Sequence, residues 1–281
     1  MFNEELHEDE KDPKVDLEID LLLQGIYRLS GFDFRQYMRS SITRRVQHRM
    51  KVEKLPSVTR LLEKVINEPA FLEKVLNDFS INVTEMYRDP AFFHSFRENV
   101  IPVLAELDEI RIWHAGCSSG EEVYSMAILL QEEGLFHKAR IYATDMNEAV
   151  LNVAKQGVFP ISKMKDYTKN YFLAGGKHSL SEYYTTDEHF AYLDPALLKK
   201  IHFAQHNLVT DQSFNEFHVI LCRNVLIYFT VPLQNKVHDL FYSSLTDGGF
   251  LGLGIKESLR FSKYGEAYEE FCGFQKIYRK K

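Results

Sequence analysis

The feature that most constrains the fold of this chain is a change of texture near Asp108. Before it, apolar residues recur at helical spacing, as in Leu17, Leu21, Leu22 with Ile26, and Leu61, Leu62 with Val65 and Ile66. Pro56, Pro69 and Pro90 stand where one helical run gives way to the next. After it, short β-rich runs alternate with helical ones, the pattern of a mostly parallel sheet covered by helices. The spacing predicts strands at 110–115, 139–144, 201–204, 217–222 and 249–254, with helices at 121–133, 148–155 and 233–245. Residues 271–279 alternate like an antiparallel edge strand, and 160–200, poorer in pattern, reads as a small β-hairpin insertion. The expected fold is therefore α/β, a doubly wound sheet with an antiparallel last strand. The expected segments are an acidic tail at 1–13, a helical domain at 14–88, a linker helix at 89–108 and a ligand-binding domain at 109–281.

In such a sheet, ligands bind beyond the carboxyl ends of the strands, and the first strand-to-helix turn is the usual contact. Gly116-Cys117-Ser118-Ser119-Gly120 falls there. Its glycines allow close backbone approach, but the run is not the Gly-x-Gly-x-x-Gly loop that cradles a pyrophosphate. Glu121 and Glu122 follow at the helix start, where their charge repels phosphate and suits a cationic ligand; an acidic start that only complements the helix dipole has the same sequence. S-adenosylmethionine, with an ammonium, a sulfonium and no phosphate, fits. Asp145, ending the second strand, stands where a carboxylate accepts ribose hydroxyls. The same five residues also satisfy the Gly-x-Ser-x-Gly elbow of α/β-hydrolases, with Asp211 and His238 as later partners. That reading lacks the earlier strands an elbow follows, and it puts His238 inside a helical run.

Composition narrows the class. A hydrophobic share of 45% and a charged share of 26% are those of a folded soluble protein, without an apolar run of membrane-spanning length. The acidic N-terminus does not read as a secretory signal, and Cys117, Cys222 and Cys272 form no Cys-x-x-Cys pair. Reduced thiols in a cytoplasmic protein are expected, with no metal site. The net charge of -6 argues against nucleic acid as partner. Against that charge, 35–54 carries Arg35, Arg39, Arg44, Arg45, Arg49, Lys51 and Lys54 with Glu53 alone opposing them.

Five motifs in one order then resemble the chemotaxis receptor methyltransferases (CheR). They are Asn82-Val-Thr84-Glu-Met-Tyr-Arg88-Asp-Pro, Gly-Cys-Ser-Ser-Gly-Glu-Glu-Val-Tyr-Ser, Ala143-Thr-Asp145, His206-Asn207-Leu208 and Cys222-Arg223-Asn224-Val-Leu-Ile-Tyr228-Phe. The resemblance spans roughly 34–259 and implies a helical N-terminal domain, a class I S-adenosylmethionine-dependent methyltransferase domain and a β-subdomain inserted in the latter. Met86 and Tyr87 depart from it, since the family commonly has two phenylalanines there.

The resemblance implies cofactor contacts from Asn82, Thr84, Arg88 and Gly116. It puts Glu122 on the methionine portion, Asp145 on the ribose, Asn207 and Leu208 beside the adenine, and Arg223 and Asn224 on the pocket floor. Arg88 and Tyr228 fall near the transferred methyl as catalytic residues. The implied reaction methylates glutamate side chains in receptor cytoplasmic domains and leaves S-adenosylhomocysteine. A glutamate, with pKa about 4.3, is ionised at neutral pH and needs no general base. The basic stripe, with Arg44, Arg45 and Arg49, then becomes a docking face for acidic receptor helices; a solvated helix face or an RNA-binding surface is the plainer reading. In relatives the β-insertion can add a receptor-tail peptide as an extra strand. Tyr183, Tyr184 and Phe190 serve that or pack on their own sheet, and the residues leave this open. The protein is expected to act as a monomer without membrane insertion. A methyltransferase for RNA or a small molecule, and a non-catalytic adaptor, are the competing classes.

Overall fold

The computed structural model describes residues 12–80, 83–259 and 262–281. The acidic tail up to Lys11 and the expected cofactor contact Asn82 lie outside the described residues. The chain divides into two compact units, Met1–Ile81 and Asn82–Lys281.

The first unit carries α1 (Pro13–Ser30), α2 (Arg39–Val52), α3 (Val58–Asn67) and α4 (Pro69–Phe79). Asp12 caps α1 by accepting from the Lys14 N–H, Pro13 fits the first turn, and Gly31 stops the helix at a φ of 77°. The buried stripe of α1 is Ile19, Leu22, Leu23 and Ile26, whereas Leu17 and Leu21, which share the helical spacing, are exposed. Both spacings are helical, and the packed partners decide which one is buried. Arg39 reaches Asp16 and Asp20 on α1, tying α2 to it.

The second unit opens with α5 (Pro90–Ser95), a π-helical turn at Phe96–Val100 and α6 (Ile101–Ala105). The expected continuous helix is interrupted because Pro102 has no N–H to give, and Ile101 N–H reaches back to Phe96 O. Then follow β1 (Ile110–Ala115), α7 (Glu121–Glu132), β2 (Ala139–Asp145), α8 (Glu148–Ala154), β3 (Val158–Pro160), α9 (Met164–Leu173), β4 (Tyr184–Thr186), β5 (Phe190–Leu193) and α10 (Pro195–Leu198). The rest is β6 (Ile201–Gln205), β7 (Phe217–Cys222), α11 (Val231–Ser244), β8 (Leu245–Leu253), β9 (Tyr268–Cys272) and β10 (Ile277–Lys280).

Seven strands make the main sheet, in the order β6-β2-β1-β7-β8-β10-β9. The strands from β6 to β8 pair in parallel, and β10 pairs antiparallel with both β8 and β9. The expected single strand at 271–279 is thus two, and the edge belongs to β9; a 3-10 turn at Gly273–Gln275 and Lys276 at a φ of 56° reverse the chain between them. The insertion is a three-stranded antiparallel sheet, β3-β5-β4, with α9, rather than a lone hairpin. Its inner strand pairs on both sides, so a hairpin pattern alone underestimates it. Trp113 on β1 anchors the core, its indole N–H donating to Thr144 Oγ1 at 2.8 Å while its ring packs on Phe217 and Phe241.

Candidate cofactor site at the carboxyl ends of the sheet

Crossing connections in a parallel sheet leave the loops after neighbouring strands on one end, so β1, β2, β6 and β7 deliver their following residues to a common rim. After β1, the N–H groups of Gly116 and Cys117 both donate to Thr144 O, at 2.8 and 2.9 Å. This draws the first loop against the end of β2. Gly116 has a φ of 81°, and a Cβ there would lie 2.7 Å from Val225 Cγ2, so only glycine lets this loop close on the one after β7.

Asp145 is set by the same loops. Its Oδ2 accepts from Ser118 N–H at 2.9 Å and its Oδ1 from Asn147 N–H at 3.0 Å. Burial raises the pKa of this carboxyl, with the N–H groups of Asn147, Ser118 and Met146 opposing that shift. Each oxygen keeps further lone-pair capacity for a hydroxyl. His206 N–H donates to Asp145 O at 3.1 Å, bringing Asn207 and the buried Leu208 to the rim. Asn207 Oδ1 accepts from Val209 N–H at 2.9 Å, which leaves its amide NH₂ to a ligand.

Glu121 and Glu122 part company. Glu121 is buried, accepting from Ser119 Oγ at 2.7 Å and from the Tyr167 hydroxyl at 3.2 Å. It fastens α9 to the start of α7, and its carboxylate is engaged by Ser119 and Tyr167 rather than left to a cationic ligand as expected. Glu122 takes His114 Nδ1 at 3.0 Å on one oxygen and Arg223 Nη1 at 2.9 Å on the other. Burial pushes its pKa up, but the His114 hydrogen bond and the Arg223 charge outweigh that and hold it below the usual carboxylate range.

Arg223, its side chain 1% exposed, also reaches Asp89 Oδ2 at 2.8 Å and the Arg88 carbonyl at 3.2 Å, and its guanidinium lies 4.0 Å from the Phe92 ring centroid. Two carboxylates therefore share one guanidinium, and Asp145 adds a third carboxylate that has no ion pair among the described residues. The excess of negative charge suits a cationic ligand. Arg88 sits between Tyr87 and Asp89, both non-glycine residues in the left-handed region at φ of 51° and 55°. Tyr87 N–H to Ser125 Oγ at 2.8 Å helps hold that strained turn. Met86 and Tyr87 are fully buried, so the departures from the family phenylalanines lie in the core. Arg88 itself donates to Val83 O at 2.8 Å, and Thr84 and Tyr228 are half-buried.

Among the described residues, the buried polar atoms without a partner include three at these loops, Ser118 Oγ, His114 Nε2 and Asn224 Oδ1. Buried polar atoms are normally paired, and a ligand with ribose hydroxyls and an ammonium supplies such partners. The hydrolase reading does not assemble. Asp211 is engaged by Asn207 N–H and Thr210 Oγ1, and His238 is buried within α11 with Nδ1 unpartnered. Cys117 and Cys222 are buried, and burial raises both thiols well above their ordinary pKa. Among the described residues no group of His, Cys, Asp and Glu is arranged to hold a metal ion.

One structural residue was missed from the sequence. Glu257, 5% exposed, accepts N–H bonds from Asn224, Val225, Leu226 and Gly254. It lies 33 residues beyond Asn224, in a turn with no motif of its own; the only signal was a lone acid just past an apolar strand.

In the first unit, Arg44 is exposed on α2 and Arg45 half-buried, and neither forms an ion pair among the described residues. Arg49 is not free to dock: it grips Asp78 on α4 with two bonds of 2.6 and 2.8 Å and Glu53 with one of 3.2 Å. Arg35 and Arg39 are likewise spent on Asp33, Asp16 and Asp20. The insertion aromatics divide: Tyr183 is buried with its hydroxyl on Glu132, while Phe190 is exposed.

Comparison with known proteins gives two family matches, the CheR methyltransferase SAM binding domain over residues 82–271 and the CheR methyltransferase all-alpha domain over residues 17–80. A Pseudomonas putida protein named Cher3 is 45% identical over 266 residues, covering 95% of this chain and 97% of the relative. Chemotaxis protein methyltransferases of Borreliella burgdorferi and Listeria monocytogenes are 31% and 29% identical, covering 88% and 87% of this chain and 89% and 92% of theirs.

Proposed function

This chain belongs to the CheR methyltransferase family and is an S-adenosylmethionine-dependent methyltransferase of class I fold, and from that premise we propose that it esterifies glutamate side chains of chemotaxis receptors. The observation that carries the reading is that the family match runs through both units, the second with an acidic rim suited to a cationic ligand and the first with two α2 arginines, Arg44 and Arg45, that pair with no acid among the described residues. An acceptor that is a row of carboxylates needs such cations, whereas a methyltransferase for a neutral small molecule does not.

When bound, S-adenosylmethionine supplies an electrophilic methyl on a sulfonium. Asp145 would hold the ribose hydroxyls, the Glu122 carboxylate the ammonium, and Asn207 with Leu208 the adenine edge. Thr84 would close the site beside the strained 87–89 turn, with Arg223 and Asn224 forming its floor, and Asn82 remains a cofactor contact by family resemblance alone. Arg88 and Tyr228 would orient the incoming carboxylate by charge-assisted hydrogen bonds. The acceptor is already ionised at neutral pH, so alignment and exclusion of water, not proton removal, are what the protein contributes. Arg44 and Arg45 would hold the acidic receptor helix. A receptor-tail peptide would add to β4, an edge of the small sheet.

The test is transfer of labelled methyl from the cofactor to a receptor cytoplasmic fragment, with peptide mapping of the labelled residue. Label on glutamate, reduced in Arg88→Ala and Tyr228→Phe, supports the assignment. Label on other residue types, or full transfer by both variants, refutes it.

A further inference from the structure

The segment Arg223–Tyr228 carries three of the residues assigned above, yet its shape is imposed from elsewhere. Asn224 has a φ of 62°, and Val225 begins the 3-10 turn Leu226–Tyr228. Three consecutive N–H groups, of Asn224, Val225 and Leu226, thereby converge on one point. Such a concavity binds anions, and here the chain fills it with its own carboxylate.

Glu257 Oε2 accepts from Asn224 N–H at 2.9 Å and from Gly254 N–H at 2.6 Å. Its Oε1 accepts from Val225 N–H at 2.9 Å and Leu226 N–H at 2.7 Å. Each oxygen takes two donors, and no Lys, Arg or His among the described residues pairs with it. Gly254 makes room for this: a Cβ there would stand 2.7 Å from Glu257 Oε2 and 2.9 Å from Asn224 N. Burial raises the carboxyl's pKa and the four N–H groups pull it back.

We infer that Glu257 is a positioning residue for methyl transfer, its carboxylate clamping the 224–226 turn so that Arg223, Asn224 and Tyr228 are presented together to cofactor and acceptor. The inference rests on the proposed roles of those three residues. It follows from the chemistry of the clamp: only a carboxylate offers two acceptor oxygens to four donors. A glutamine turns an NH₂ toward two N–H groups, so the neutral isostere opens the turn. An aspartate keeps the charge but stops one methylene short. The turn also touches the cofactor loop, because Gly116 closes on Val225, so a displaced turn loosens both sides of the site.

The experiment compares the full chain with Glu257→Gln, Glu257→Asp and Gly254→Ala, the last leaving the carboxylate but crowding it. Leu104→Ala, in the buried face of α6, serves as a control for lost stability. Unfolding temperature, calorimetric affinity for S-adenosylhomocysteine, and kcat at saturating cofactor are read where all variants are folded. Glu257→Gln should lose about tenfold or more in kcat and weaken the product's binding, since small misplacements of reacting groups are costly. Glu257→Asp should recover part of the loss. The control should lower the unfolding temperature while leaving affinity and kcat nearly unchanged. Should Glu257→Gln not fold, Gly254→Ala carries the same expectation. Variants of Glu257 and Gly254 that track the control in all three readouts overturn the inference. Asn224→Ala and Tyr228→Phe separate the two levels: if they lose transfer while Glu257→Gln and Gly254→Ala keep it, only the clamp is wrong. If both of them keep full transfer, the site assignment fails and the clamp's role falls with it.

Discussion

Arg223 Nη1 lies 2.9 Å from Glu122 Oε2, and the same guanidinium reaches Asp89 Oδ2 at 2.8 Å. One buried cation thus joins the start of α7 to the strained turn at Arg88. Breaking a buried pair by removing one partner strands the other charge, at a cost of about 3–5 kcal/mol. Arg223→Met should therefore lower the unfolding temperature markedly and abolish cofactor binding. Glu122→Gln, which leaves Arg223 its Asp89 partner, should cost less stability but still weaken affinity for S-adenosylmethionine. Calorimetry alongside thermal unfolding distinguishes the two outcomes, and equal losses of stability would count against the shared-cation account.

Gly116→Ala meets two obstacles at once, a left-handed backbone costing about 1–2 kcal/mol for a side chain and a Cβ 2.7 Å from Val225 Cγ2. The expected result is a folded protein whose affinity for S-adenosylhomocysteine falls by roughly tenfold or more, because about 1.4 kcal/mol is a factor of ten. Retained affinity would show that the loop need not close on Val225.

The arginines of α2 should behave in two ways. Arg44→Glu with Arg45→Glu should raise KM for a receptor fragment by roughly tenfold, with cofactor affinity unchanged, and salt should erode the wild-type advantage. Arg49→Met should instead destabilise the helical unit by about 1–3 kcal/mol, since it removes charge-assisted bonds to Asp78 and Glu53. Steady-state kinetics and denaturant unfolding read the two effects separately.

His238 is buried in α11, and burial lowers its pKa to about 4, with Asp239 pulling the other way. The unfolded chain takes up this proton near pH ~6.5, before the folded chain does. Stability should therefore decline as pH falls from ~6.5 to ~4, by up to roughly 3 kcal/mol for this residue. His238→Leu should flatten that part of the stability profile; an unchanged slope would place the acid sensitivity elsewhere.

Much of the second unit was legible in the sequence because its strands are short apolar runs bounded by turn residues. The strands Ile110–Ala115 and Phe217–Cys222 fall where the spacing puts them, and Gly116, Asp145, Asn207 and Arg223 meet at one end of the sheet because parallel crossovers require it. What was hidden depends on partners distant in sequence. Glu121 and Glu122 are adjacent and alike, yet Tyr167 claims one and Arg223 the other. Arg49 looked like one cation of a stripe until Asp78, 29 residues on, was seen to hold it. Glu257 offered no pattern, since its role is to accept backbone N–H groups, which every residue except proline carries.

The most direct test of the central claim is the chemistry of the bond formed. The protein is incubated with S-adenosylmethionine labelled in its methyl group and with receptor cytoplasmic domains, and the labelled receptor is then treated with mild alkali. Esterification of glutamate predicts that the label is released as volatile methanol. Label that stays on the receptor through alkali would mean transfer to nitrogen or another base-stable acceptor, and would contradict the account.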